Sequence, residues 1–230
     1  MTSNFSGFPP GFFKFYKELI KNNERDWFNA NKERYLSDVV DPSLEFIAAI
    51  EPKLKKVSPY FLAIAKRSRG SLMRIYRDVR FSKNKQPYKT NLGIQFRHEM
   101  GKDVHAPGFY FHYSPKESFL GAGIWHPDRD PLKKIRIAIV DQEARWKRTR
   151  GAKKFKEIFE LSGDSLKRPP RDFDPDHKLI EDLKRKDFIA ICPLQAAELK
   201  SPEIVEVTID RIRRSMTFVR FLCDALHLPS

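Results

Sequence analysis

Between residues 73 and 124 the apolar residues of this chain alternate, while on either side they recur at helical spacing. A sheet therefore belongs at the centre of the sequence, with helices before and after it. Met73, Ile75, Val79 and Phe81 form one alternating run, and Leu92, Ile94 and Phe96 a second. Phe109, Phe111 and Tyr113 form a third, and Leu120, Ala122 and Ile124 a fourth. The polar connection of residues 114–117, which contains Pro115, predicts a hairpin between the last two. Their opposite face carries Tyr110, His112, Phe119 and Trp125. Strands apolar on both sides are expected inside a sheet covered on both faces. Phe188 to Cys192 reads as one further strand, stopped by Pro193.

The flanks are helical. Phe12, Phe13, Tyr16, Leu19 and Ile20 fall on one stripe after a Pro9-Pro10 start. Asn22-Asn23 ends that helix, and Asn23 is expected to cap the next, whose face is Trp27, Phe28, Asn31 and Tyr35. Asp41-Pro42 opens a third helix with Ile47, Ile50 and Leu54 inward. Beyond the sheet, Leu132, Ile135, Ile139 and Trp146 line one helix, and Asp174-Pro175 is expected to cap a short one bearing Leu179 and Leu183. Ser201-Pro202-Glu203 opens a final helix whose stripe runs from Val205 through Ile209, Ile212, Met216, Val219 and Cys223 to Leu226, more than five turns.

The fold expected is α+β: an antiparallel or mixed sheet of four to five strands packed by N-terminal helices and a long C-terminal helix. It is read as a single domain over residues 1–230, since the chain is long enough to bury a substantial core at 40% hydrophobic and 32% charged content. No apolar run is long enough to cross a bilayer. Residues 1–10 carry neither the cationic head nor the apolar segment of a secretory signal. Cys192 and Cys223 lie far apart without a Cys-x-x-Cys partner, which fits a reducing compartment. A cytoplasmic protein without membrane association is the expectation.

The net charge of +14 is localised. Residues 66–102 hold eleven Lys/Arg against Asp78 and Glu99, and residues 133–156 hold ten against Asp141 and Glu143, so the remainder is net acidic. Such localisation favours an anionic partner over a merely solubilising surface.

Residues 74–89 concentrate the chemistry. On a strand over residues 73–81, Arg77 shares a face with Ile75, Val79 and Phe81, a position where a charge must be paired or open onto a polar pocket. Asp78 and Arg80 are close enough to orient one another. The turn beyond adds Ser82, Lys83, Lys85, Tyr88 and Lys89, stiffened by Pro87. Guanidinium forks, ammonium groups and a hydroxyl suit phosphate or carboxylate capture. Arg77, Arg80, Ser82, Lys83, Lys85, Tyr88 and Lys89 are thus the candidate ligand-binding residues. Trp125 is added as a stacking surface, and Asp78 and His112 are the acid–base candidates if a reaction takes place. Gly121 and Gly123 share the face of Phe119 and Trp125, so either a helix or a ligand approaches the backbone there, a packed helix being the expectation.

Four segments resemble a widespread uncharacterised conserved family, catalogued as domain of unknown function 2461. They are residues 22–28 (Asn22-Asn23-Glu24-Arg25-Asp26-Trp27-Phe28), residues 74–89, residues 121–125 and the loop of residues 168–177. The specific part is Arg77-Asp78-x-Arg80-Phe81-Ser82-x-x-Lys85-x-Pro87-Tyr88-Lys89. The family brings no assigned activity, so the resemblance implies a fold and a motif but no mechanism. Other chemistries have little support. His98, His105, His112 and His126 match no ligand spacing, Cys192 sits in an apolar strand, and no phosphate-binding glycine loop or nucleophile elbow is present, so neither metal nor cofactor is expected.

Three functions remain open: binding of a small anionic ligand, nucleic-acid binding through both basic clusters with Tyr88 or Trp125 as stacking platforms, and a protein-interaction domain with an acidic partner. A pocket enclosing the Arg77 head would favour the first, and a continuous basic stripe on a convex surface the second.

Overall fold

The computed structural model describes residues 5–101 and 106–230. Four helices come first: α1 (Pro10–Lys21), α2 (Arg25–Ala30), α3 (Lys32–Tyr35) and, after a π turn at Leu36–Val40, α4 (Asp41–Val57). Strands β1 (Phe61–Leu62), β2 (Leu92–His98), β3 (Gly108–Tyr113) and β4 (Ser118–Ile124) follow. Then come α5 (Arg129–Asp141), α6 (Glu143–Gly151), α7 (Lys153–Lys156), β5 (Glu160–Ser162), α8 (Ile180–Leu183), β6 (Phe188–Pro193), α9 (Ala196–Lys200) and α10 (Ile204–Ala225). The strands form one six-stranded sheet in the order β1-β2-β3-β4-β6-β5. Every pair in it is antiparallel. The α+β class, the N-terminal helices and the long C-terminal helix are as expected. Six strands exceed the expected four to five, and the two not foreseen, β1 and β5, are the shortest, too brief to show a period.

Alternation sorts the sheet into two unlike faces. Leu92, Ile94, Phe96, Phe109, Phe111, Leu120, Ile124, Phe188 and Cys192 point one way and are all buried. The helices pack there. Phe8 and Phe46 lie on Phe111 at ring separations of 6.0 and 4.9 Å, and Phe12 on Tyr113 at 4.8 Å. Trp146 of α6 meets Phe188, Phe218 and Phe221. Helix α10 reaches β4 where Gly123, at φ 121°, leaves no room for a side chain against the Phe188 carbonyl and the Phe218 ring. Among the described residues no helix lies over the face that Gly121 and Gly123 share with Phe119 and Trp125, which lines a cleft instead, so the packed helix expected there is not found.

Among the described residues no helix packs on the other face. Gln95, Tyr110, His112, Phe119, Ile189 and Ile191 are half-buried on it, so the expectation of cover on both sides is overturned. The apolar mass of both helical flanks is already spent on the first face.

Residues 73–81 do not form the expected strand. Met73 donates to the Gly93 carbonyl and Gln95 to the Ser71 carbonyl, so the segment begins along the edge of β2. It then leaves that edge and pairs with its own return: Arg77 donates to the Pro87 carbonyl and Lys89 to the Ile75 carbonyl. Burial decays along this hairpin from Ile75 to Phe81, which is 95% exposed at the tip. The alternation was real, but its partner is residues 87–89 and not the sheet.

Asn23 does not cap α2. Its carboxamide accepts from Tyr88 N at 3.1 Å and donates to the Tyr88 carbonyl at 3.0 Å, as a neighbouring strand would. Phe28 stacks on the Tyr88 ring at 4.0 Å. Two departures are smaller. The helix expected through residues 132–146 breaks at Gln142, which turns Trp146 into the aromatic cluster. Asp174 caps a turn by accepting from Asp176 N at 2.9 Å, and the helix itself begins at Ile180. Among the described residues no helix is long and apolar enough to cross a membrane.

The Asn23 clamp generates the first prediction. Asn23→Ala removes two hydrogen bonds and is expected to cost about 1–3 kcal/mol. It should lower the denaturant midpoint and speed trypsin cleavage after Lys83 and Lys85. Unchanged cleavage and midpoint would mean the hairpin is held elsewhere.

Candidate ligand-binding site

The uncovered face is the floor of a cleft of about 640 Å³. Its side chains form rows across the strands. Gly93, His112 and Phe119 stand in one row, Gln95, Tyr110, Gly121 and Ile191 in the next, and Gly123 and Ile189 in a third. The hairpin forms one wall through Met73, Arg74, Arg77, Asp78 and Lys89, and Trp125 stands at the far end of β4, 52% exposed. A volume of this size, apolar with a few convergent polar groups, has the proportions of a small-molecule site.

Aromatic contacts hold the floor rigid. The His112 ring stacks on Phe119 at 4.6 Å and 12°. The Tyr110 hydroxyl lies 3.3 Å from His112 Nδ1 and is also bonded by Asn91. Burial raises the Tyr110 pKa, so the hydroxyl stays protonated. Burial lowers the His112 pKa, against a smaller opposing effect of Glu117, so its imidazole is neutral at pH 7.

The cations are unequal. Arg77 donates through Nη1 to the Gln86 carbonyl at 3.2 Å and through Nη2 to Ser82 Oγ at 3.4 Å, so it braces its own hairpin. Asp78 receives Arg80 Nη2 at 2.7 Å, Arg80 Nε at 3.0 Å and the Arg80 amide at 3.2 Å. Those bonds hold its carboxylate ionised, below the ordinary range. Arg74 and Lys89 differ. Among the described residues neither side chain has a hydrogen-bond or ion-pair partner, and the Lys89 pKa is lowered, first by burial and then by Arg74.

Of the ten residues singled out from sequence, Arg77, Asp78, Lys89, His112 and Trp125 line the cleft. The other five lie outside it. Arg80 serves Asp78, Ser82 receives Arg77, and Lys85 Nζ donates to the Val79 carbonyl at 3.1 Å. Lys83 is exposed near the tip, and Tyr88 is buried against Phe28 with its ring spent on the scaffold. Arg74, Asn91 and Tyr110 were missed. Tyr110 could have been found, because it shares the alternation of His112. His105 lies outside the described residues, and His98 is buried with Nε2 2.7 Å from the Pro229 carbonyl. Both cysteines are buried, with thiol pKa values raised, that of Cys223 to about 12.

The second basic cluster belongs to α5, α6 and α7, which gather with α10 on the helical side of the sheet. Four of its ten cations are paired: Lys133 with Asp172 at 3.0 Å, Arg150 with Asp182 at 3.4 Å, Arg145 with Asp224 and Lys147 with Glu143.

A family model described as a conserved hypothetical protein, DUF2461, matches residues 11–221, and the chain belongs to that family. No curated protein and no solved structure matches it.

The state of His112 can be tested by pH. A histidine whose folded pKa lies below its unfolded value binds fewer protons folded than unfolded. Stability is then retained above pH 6.5 and lost as pH falls through the lowered value. The stability gap between wild type and His112→Phe should be flat above pH 7 and should move against the wild type below pH 6.5. A gap that stays constant down to pH 4 would contradict a buried, neutral imidazole.

Proposed function

We propose that this DUF2461 protein binds a small organic anion, its charged end met by Arg74, Arg77 and Lys89 and its apolar body laid on the open face of the sheet. One observation carries the reading: Arg74 and Lys89, neither in a hydrogen bond or ion pair among the described residues, line an apolar cleft where burial first and then Arg74 disfavour the Lys89 charge. A fold gains nothing from that repulsion, and sites assembled for ligands tolerate such strain. Arg77 contributes from a preformed position, since its bonds to Gln86 and Ser82 fix the guanidinium at the cleft wall.

If the ligand is transformed, His112 is the proton-exchanging group. It is neutral, lines the cleft and sits beside the Tyr110 hydroxyl. Asp78 is instead a fixed negative charge that orients Arg80. Nucleic-acid binding and docking of an acidic protein would both draw on the basic clusters together. One cluster borders the cleft, however, while the other lies on helices packed against the opposite face, so the two do not make one continuous stripe.

Phosphate titration at constant ionic strength, read by thermal unfolding, tests the proposal. A ligand bound only by the folded state at a hundred times its Kd adds about 2.7 kcal/mol of stability. The wild type should be stabilised by phosphate, and the Arg74→Gln/Lys89→Gln double variant should respond little while unfolding no earlier without phosphate. As pH rises the response should weaken when Lys89 loses its proton, at a pH below the ordinary lysine value of 10.5. Equal responses in the two proteins would refute the site.

A further inference from the structure

The glycines beneath the cleft are not equivalent, and the difference bears on the shape of the ligand. A side chain at Gly93 would meet the Tyr110 hydroxyl at 2.7 Å and Met73 Sδ at 3.0 Å. One at Gly108 would strike the Phe96 carbonyl at 2.8 Å, and Gly123 is closed by its backbone and by Phe188. The fold itself needs those three. At Gly121 the nearest atoms to an added Cβ are the Tyr110 carbonyl at 3.7 Å, Tyr110 Cβ at 3.8 Å and Phe119 Cε2 at 3.9 Å, all ordinary contacts. Its backbone is not in the left-handed region either. A glycine inside a strand weakens the strand and packs nothing, so the fold would be better served by alanine or valine at this position.

We infer that Gly121 is the seat of a flat aromatic or heteroaromatic ring on the ligand, resting on the proposed anion site at its charged end. Gly121 is buried between its neighbours yet lines the cleft floor, and with no Cβ on it a planar ring can lie over its peptide planes at van der Waals distance. The surroundings suit a ring. Phe119 precedes Gly121 on the same face of β4, Tyr110 is its partner across β3, and Ile191 is its partner across β6. Phe119 is already stacked on His112, which fixes its plane, and aromatic pairs gain beyond their buried area when offset or edge-to-face. The hairpin that carries Arg74 and Lys89 rises over β2, as the closeness of Met73 to Gly93 shows. Two strand spacings, about 10 Å, separate β2 from β4. The ligand is thus elongated, with its charge toward β2 and its ring over β4. An aryl or heteroaryl phosphate or carboxylate meets that description, whereas an inorganic ion or a compact aliphatic acid does not.

Calorimetric titration with 2-naphthyl phosphate, cyclohexyl phosphate and inorganic phosphate tests this. The wild type should bind naphthyl phosphate at least tenfold more tightly than cyclohexyl phosphate, which has the same charge and no flat face. Gly121→Leu fills the seat, and should lower naphthyl phosphate affinity at least tenfold and far more than phosphate affinity. Gly121→Ala should unfold no earlier than wild type. Phe119→Leu, which stays apolar but loses the ring, should shrink the aromatic preference even if Gly121→Leu fails to fold. Equal affinity for the two organic phosphates, or an undiminished preference in Phe119→Leu, would overturn the ring seat while leaving the cationic rim standing. Destabilisation by Gly121→Ala would also overturn it, by showing that the fold needs the glycine. A wild type that binds none of the three would defeat the anion reading itself.

Discussion

Helices pack on one face of the sheet, and the rest of the molecule follows from that asymmetry. Nineteen phenylalanines supply much of the apolar mass, and Phe8, Phe12, Phe46, Phe61 and Phe218 spend theirs on the side of Phe109, Phe111 and Phe188. An antiparallel sheet can leave its second face to solvent, but such a face is ordinarily polar. Here it carries Tyr110, Phe119, Ile189 and Ile191, half-buried, with Gly121 on the cleft floor between them. An apolar face that none of the described helices covers, and that is not surrendered to polar residues, is what a ligand cleft requires.

The hairpin of residues 74–89 turns that face into a cleft, and its residues divide the labour. Tyr88 is held from below by the Asn23 carboxamide and the Phe28 ring, so the N-terminal helices fix the hairpin at its base. Arg77, Lys85 and the Asp78–Arg80 pair hold the hairpin to itself. Among the described residues the cations that remain unspent are Lys83 at the exposed tip and Arg74 and Lys89, which line the cleft. A motif that looks uniformly cationic in sequence is mostly scaffold, with a small remainder facing the cleft. The same division explains why residues 22–28 and 74–89 belong together: the first segment is the seat of the second.

The sheet strands β2, β3, β4 and β6 and the stripe of α10 were readable because alternation and helical spacing are local and unbroken there. The hairpin misled because a period of two reports an extended chain and not its partner, and Asn23 misled because a carboxamide suited to a helix cap suits a strand edge equally. Cover on both faces was inferred from aromatic residues at Tyr110, His112, Phe119 and Trp125, and nothing in those four distinguishes a helix overhead from open space. Half of the candidate residues reached the cleft. Lys89 did so because it lies on the returning strand of the hairpin, whereas Lys83 and Lys85 sit nearer the tip. That separation depends on the turn's position, which charge alone does not encode.

The central claim is that the open face of the sheet, not the hairpin tip or the second basic cluster, receives an organic anion. Backbone amide shifts followed by nuclear magnetic resonance during titration with 2-naphthyl phosphate test it most directly. The account predicts saturable shifts concentrated at Lys89, Gly93, Tyr110, His112 and Gly121, with residues 133–156 unmoved. Shifts centred on residues 82–85 or on residues 133–156, with the amides of Tyr110 and Gly121 unmoved, would contradict it.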